Sequence, residues 1–210
     1  MVMCDRLEAD SQSDLACGFA PLFKFDAQAL VLGSMPGRAS LHARQYYAHP
    51  HNTFWPIIEH LFGYSDPLDY AHRTRLLMRH RIALWDVLKT CSRPGSLDSS
   101  INESSIIAND FASFYACAPD IRAVFFNGAT AQREFHKRII PTLAVKYAAI
   151  PGFCLPSTSP AMASLTKAQK IERWKLIREI PGAPDVDFSR SGTTEKNLAE
   201  IPIAEVFPAI

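Results

Sequence analysis

Four short apolar runs constrain this chain more than any other feature. They are Ala29-Leu-Val-Leu-Gly33, Ile82-Ala-Leu-Trp-Asp86, Ala123-Val-Phe-Phe-Asn127, and Lys146–Ile150 with Phe153–Leu155, the last interrupted by Pro151-Gly152. Runs of this length that do not alternate with polar residues are strands covered on both faces. Helical periodicity fills the gaps. Over 53–62, Phe54, Ile57, Ile58, Leu61 and Phe62 share a face, Pro56 suits the first turn, and Gly63 suits the stop. Further helices are expected over about 69–80, 105–117, 129–139 and 166–180. The last opens with a Thr166/Gln169 capping box and an apolar stripe through Ile171, Trp174 and Ile177. Strand–helix alternation predicts an α/β fold with a parallel sheet covered on both faces. Right-handed crossovers bring the C-terminal ends of all strands to one rim, where ligands of open α/β sheets bind.

Composition narrows the class. With 210 residues, 48% of them hydrophobic, the chain can bury the core of a single domain. It has no run of 18 apolar residues and no apolar segment near its N-terminus, so neither a membrane span nor a secretory signal is expected. Five Cys (4, 17, 91, 117 and 154), widely spread and without CxxC, read as reduced thiols of a cytoplasmic protein. The net charge of +1 conceals an asymmetry: residues 1–20 and 181–210 each carry −3, leaving +7 on 21–180. The expected organisation is an acidic N-terminal tail over 1–20, one domain over 21–180 and a C-terminal tail over 181–210. A basic body is compatible with a polyanionic partner or with an ordinary solvated surface.

Three segments at the expected rim carry chemistry. Gly33-Ser-Met-Pro-Gly37 is a loop whose backbone can approach a ligand and whose N–H groups can cradle an anion. It matches neither G-x-G-x-x-G nor the Walker pattern, so no nucleotide cofactor is expected. Leu41 to Trp55 is rich in His and aromatics and holds no acid, which suits phosphates and flat bases. Phe54 and Trp55 also suit plain helix packing. The His residues there lack a carboxylate partner and a metal-binding spacing, so no metal is expected. Pro156 to Ser164 is a stiff loop of small residues able to follow a phosphate backbone, with Met162 or Leu165 as a wedge. A fourth stretch, 89–105, is rich in Ser, Pro and Gly and reads as a long functional loop.

Together these residues resemble a known family. Gly33-Ser-Met-Pro-Gly37, Ser40-Leu41 and Tyr46-Tyr-Ala-His-Pro-His-Asn-Thr-Phe-Trp55 are similar to the first motif of the uracil-DNA glycosylase superfamily. The hypoxanthine-DNA (DNA-deoxyinosine) glycosylase branch matches best. Leu84-Trp-Asp-Val87, Gly95-Ser-Leu-Asp98, Phe126-Asn-Gly128 and Ser157-Thr-Ser-Pro-Ala161 resemble its later segments. The resemblance implies a three-layer α/β/α sandwich around a four-stranded parallel sheet. It also implies hydrolysis of the N-glycosidic bond of a deaminated base in DNA, without metal or nucleotide cofactor, by a monomer.

Two departures stand out. Met35 occupies a position where relatives acting on uracil often carry Asp or Asn, and Ser157 one where a catalytic His is common. By resemblance the catalytic role moves to Asn52, which would position water or hold the purine. Asn127 would bind the base, and Tyr46, Tyr47 or Phe54 would stack on it. Backbone amides of Gly33, Ser34, Met35, Pro36 and Gly37 form the substrate loop, in which Pro36 itself has no N–H. Ser157, Thr158, Ser159, Pro160, Ala161 and Met162 would form the DNA-binding loop. Asp86 either caps the turn after its strand or replaces a missing base. The expected activity is monofunctional excision of hypoxanthine, the alternatives being a uracil or mismatch-specific enzyme on the same fold, or a non-catalytic lesion-binding module.

Overall fold

The structure, a computed structural model, describes residues 14–179. Among the described residues there are seven strands: β1 (Leu15–Cys17), β2 (Ala29–Gly33), β3 (Ile82–Asp86), β4 (Leu88–Ser92), β5 (Ile107–Ala108), β6 (Ala123–Asn127) and β7 (Gly152–Leu155). The α-helices are α1 (Arg38–Ala43), α2 (Phe54–Leu61), α3 (Tyr70–Arg79), α4 (Phe111–Cys117), α5 (Ala129–Arg138), α6 (Val145–Ala148) and α7 (Lys167–Trp174). Four strands form one parallel sheet in the order β3-β2-β6-β7.

Side-chain alternation along these strands splits the core in two. Leu30, Leu32, Trp85, Val124 and Phe126 point to one face and pack with Phe111, Phe114 and Phe135 of α4 and α5. Ala29, Val31, Ile82, Leu84 and Phe125 point to the other and meet α2, α3 and α7 through Phe54, Ile58, Leu77 and Trp174. Every residue of β2 is buried, which explains its unbroken apolar run. The expected three-layer α/β/α sandwich is the fold observed.

Local signals match the helix ends. The chain turns at Gly63 with φ of 81°, a left-handed conformation that favours glycine. Thr166 and Gln169 make both bonds of the capping box. Asp69 caps α3 by accepting the N–H of His72 at 2.7 Å.

Four expectations need correction. Residues 146–148 are helical, in α6, and the edge strand is Gly152–Leu155. As an edge with three exposed residues, β7 lacks the burial that marks β2, β3 and β6 in sequence. The stretch 89–105 is not all loop. Leu88–Ser92 pairs antiparallel with β1 and β5, and long-range pairing overrides its weak local signal. That pairing also shortens the N-terminal tail, because Leu15–Cys17 belongs to the fold. Helix α4 begins at Phe111, six residues late, where Asp110 accepts the N–H of Ser113 and caps it. The C-terminal tail over 181–210, and residues 1–13, lie outside the described residues.

Leu30 on the central strand is fully buried. Leu30→Ala is expected to lower unfolding free energy by about 2–5 kcal/mol. Urea denaturation checks this, and an unchanged midpoint would contradict the packing.

Candidate active site

Register fixes which residues share the rim. Gly33 pairs opposite Asp86, and Asn127 opposite Leu155, each at a strand's C-terminal end. A cavity of about 690 Å³ opens above them. Its lining comes from Gly33–Ser40, four residues from Tyr46 to Asn52 (46, 47, 49 and 52), Asp86, Ser96–Ser99, Asn127 and Ser157–Met162. The first motif, the two strand ends and the last loop therefore do converge.

The Gly33–Gly37 loop is held from behind. Arg93, 2% exposed, donates to the carbonyls of Met35 and Pro36. The 93–100 segment folds over the same loop. Ser34 Oγ lies 2.8 Å from each carboxylate oxygen of Asp98, and Ser96 Oγ accepts the N–H of Arg38 at 3.0 Å. With its carbonyls clasped by a buried guanidinium, the loop is set without help from the ligand.

The last loop is stapled in place by Thr158, which is fully buried. Asn127 grips it with both amide atoms: Nδ2 donates to Thr158 Oγ1 at 2.9 Å, and Oδ1 accepts the Thr158 N–H at 2.8 Å. The Thr158 carbonyl accepts the N–H and hydroxyl of Thr53, just before α2. Gly128 permits the close fit, since a Cβ there would sit 3.0 Å from that of Ser157. Asn127 is thus first a clamp, and its amide also faces the Tyr47 hydroxyl.

Asn52 lines the cavity with its amide orientation set. Oδ1 accepts the Phe54 N–H at 3.0 Å, at the start of α2. Its Nδ2 has no partner among the described residues, and Oδ1 keeps a second lone pair. The aromatics divide differently from expectation. Tyr47 lines the cavity, while Phe54 does not: its ring is fully buried against Tyr47, 4.1 Å between centroids. Phe54 therefore supports Tyr47 and has no free face for a base. Tyr46 is 3% exposed and donates from its hydroxyl to the Ala20 carbonyl, so it also serves the scaffold.

Comparison with known proteins gives the lineage. The family model described as Uracil DNA glycosylase superfamily matches residues 20–179. This chain belongs to the uracil DNA glycosylase superfamily. A Methanosarcina barkeri protein named hypoxanthine DNA glycosylase is 38% identical over 112 residues, covering 53% of this chain and 70% of that protein. A Methanosarcina acetivorans protein of the same name is 37% identical over 115 residues, 54% and 72% of the two chains. The solution NMR structure of a Methanosarcina acetivorans protein put forward as a uracil DNA glycosylase superposes with TM-score 0.65 at 32% identity. It covers 79% of this chain and 98% of that one.

In this superfamily member the cavity floor is electrostatically unusual. Asp86 is 3% exposed, and its Oδ2 has no hydrogen-bond partner. Burial, and then the like charge of Asp98, push its carboxyl up to about 7, against the pull of Arg93. Asp98 is raised as well, by burial, while Ser34 and Arg93 hold it down. A carboxyl so placed can accept, or give, a proton near neutral pH. Among the described residues no group of three His, Cys, Asp or Glu is placed to hold a metal, and no helix is long and apolar enough to cross a membrane.

Sequence reasoning gave no role to Arg93 or Asp98. Asp98 stood in a segment noted for its resemblance, but its partner Ser34 is 64 positions away. Arg93 had no signal beyond its place beside Pro94-Gly95.

A folded-state value above the ordinary carboxylate range means that ionising Asp86 opposes folding. The cost is absent below about pH 4, builds through about 7, and is complete above it. Asp86→Asn is therefore expected to stabilise the protein by roughly 2–4 kcal/mol at pH 8 and hardly at all at pH 4. Thermal unfolding across this range checks it; equal shifts at both ends would contradict the buried charge.

Proposed function

We propose that this protein is a monofunctional hydrolase that removes hypoxanthine from DNA by base flipping, as the first step of base excision repair. One observation carries the reading. The Asn52 amide and the clasped Gly33–Gly37 backbone line one cavity with ample room for an everted base, in a chain 38% identical over 112 residues to a hypoxanthine DNA glycosylase. A deaminated adenine is poorly paired, which lowers the cost of everting it, a few kcal/mol for a stacked base.

The chemistry follows from the lining. Cleavage of the C1′–N9 bond leaves positive charge on the sugar and sends the electron pair to the base. Backbone N–H groups of the Gly33–Gly37 loop stabilise the charge on the purine, whose lactam delocalises it. Asn52 holds a water by its free Nδ2 and remaining lone pair. The water oxygen bonds to C1′, its proton is released toward the departing base, and an abasic site and free hypoxanthine result. No Lys among the described residues lines the cavity, which supports hydrolysis over Schiff-base chemistry.

Tyr47 and Asn127 would meet the base at its edge, and Ser157–Met162 follows the DNA backbone with Met162, 38% exposed, as the wedge. The described residues form the catalytic unit, between two acidic ends. A monomer is part of this reading, and scattered Cys residues support the cytoplasm.

A nicking assay tests the proposal: duplexes holding one hypoxanthine or one uracil, treated with protein and then alkali. Breaks at hypoxanthine are expected; breaks at uracil alone would reassign the substrate, and binding without breaks would leave a lesion sensor. Asn52→Ala should slow excision at least about 100-fold while sparing fold and affinity for abasic DNA. Lesion binding should weaken steeply with salt, since phosphate contacts displace counterions.

A further inference from the structure

Buried polar atoms in folded proteins almost always find partners, and those that do not call for a reason. Four side-chain atoms here lack a well-aligned one among the described residues: Tyr47 Oη, which has only the Asn127 amide near it, Asp86 Oδ2, Arg93 Nε and Tyr115 Oη. Tyr115 is packed in the core against Tyr147, away from the cavity lining, and Arg93 lies beneath the first loop. Tyr47 and Asp86 both line the cavity.

The two meet over Gly33. A Cβ on Gly33 would collide with Asp86 Oδ1 and lie 3.0 Å from Tyr47 Oη. Gly33 does not adopt a positive φ, so backbone conformation does not demand a glycine there. Space does: the room that a side chain would take is used by Asp86 Oδ1 and approached by Tyr47 Oη, so a hydroxyl and a carboxylate converge on Gly33 at the cavity lining. The hydroxyl can donate, and the ionised carboxylate can only accept.

Deamination creates the complement of such a pair. Hypoxanthine presents C6=O, an acceptor, next to N1–H, a donor. Adenine presents an amino donor at C6 next to the N1 lone pair, both polarities reversed. We propose that Tyr47 and Asp86 read the lactam edge of the everted base, the Tyr47 hydroxyl donating to its carbonyl and the Asp86 carboxylate accepting its ring N–H. This rests on the excision reading above and assigns its specificity. A carboxylate against the adenine N1 lone pair repels, and leaves both groups desolvated and unpaired, the situation that gives polar pockets their strongest discrimination. Asp86 is then a specificity-determining residue. Uracil carries the same N–H/C=O edge, so the pair separates deaminated bases from their amino parents.

The assignment carries a pH signature. Tyr46 and Tyr47 face Asp86 from the segment before α2, Asp98 from the loop after β4, and Arg93 from beneath; Asp98 disfavours the carboxylate and Arg93 favours it. The accepting form appears as pH rises through about 7. Excision limited by it falls about tenfold per pH unit below that value and is level above it.

The test uses the full chain and single-turnover excision from duplexes containing deoxyinosine, N1-methyl-deoxyinosine or deoxyadenosine, between pH 5 and 9. Affinity for abasic-site DNA reports fold and DNA binding. Wild type should remove hypoxanthine at least about 100-fold faster than its N1-methyl derivative. Tyr47→Phe, which keeps the ring, should slow hypoxanthine excision about 10- to 100-fold at unchanged abasic-DNA affinity. Asp86→Asn, whose amide can still present an oxygen, should abolish the pH step and narrow the preference over adenine. Excision of the N1-methyl base within threefold of hypoxanthine, or a pH step that persists in Asp86→Asn, overturns the proposal.

Binding of free hypoxanthine and free adenine to the enzyme–abasic DNA complex reads the same edge without turnover. Strong preference for hypoxanthine without excision would refute the proposed function and keep this assignment. Excision with no such preference would do the reverse.

Discussion

Parallel pairing of β2 with strands on both its sides is the constraint from which the site descends. Because β3 and β6 flank it in fixed register, the three chains leave the sheet at nearly the same height. Gly33, Asp86 and Asn127 then occupy one rim. A slip of one residue in β3 would exchange its buried faces and carry Asp86 away from Gly33. The two-sided apolar core that resists such a slip is therefore also what aligns the polar groups above it.

That alignment sets two carboxyls, Asp86 and Asp98, near one buried guanidinium, Arg93, under a cavity meant for a polyanion. None of the three is optimal for folding alone. Arg93 spends its hydrogen bonds on loop carbonyls rather than on a carboxylate, and Asp86 leaves an oxygen unmatched. Natural active sites commonly sacrifice stability in this way, because groups that already satisfied one another would have nothing left for a substrate.

Much of this was legible in the sequence, and what was not has a common cause. Strands buried on both faces, the Gly63 stop and the Thr166 capping box rest on local residue types, and each is where those types place it. The convergence of the segments that follow Gly33, Trp85, Phe126 and Leu155 follows from a parallel sheet, whereas Asn52 is singled out by resemblance. What escaped depended on partners far apart in the chain. Leu88–Ser92 is a strand only because Leu15–Cys17 lies beside it, and Asp98 belongs to the site only through Ser34. Phe54 sits in a motif rich in aromatics, but whether a ring faces a cavity or a core is decided by the helix that carries it.

The Thr158 staple has a consequence for how the protein meets a duplex. One residue without solvent exposure joins the end of β6, the final loop and the threshold of α2. A loop tied at that point has less freedom to surrender on contact. On the function proposed above, the nucleic acid, soft at a mismatched pair, would be the member that bends. Sites that yield readily would then be sorted by shape from sites that do not, before a single ring atom is inspected.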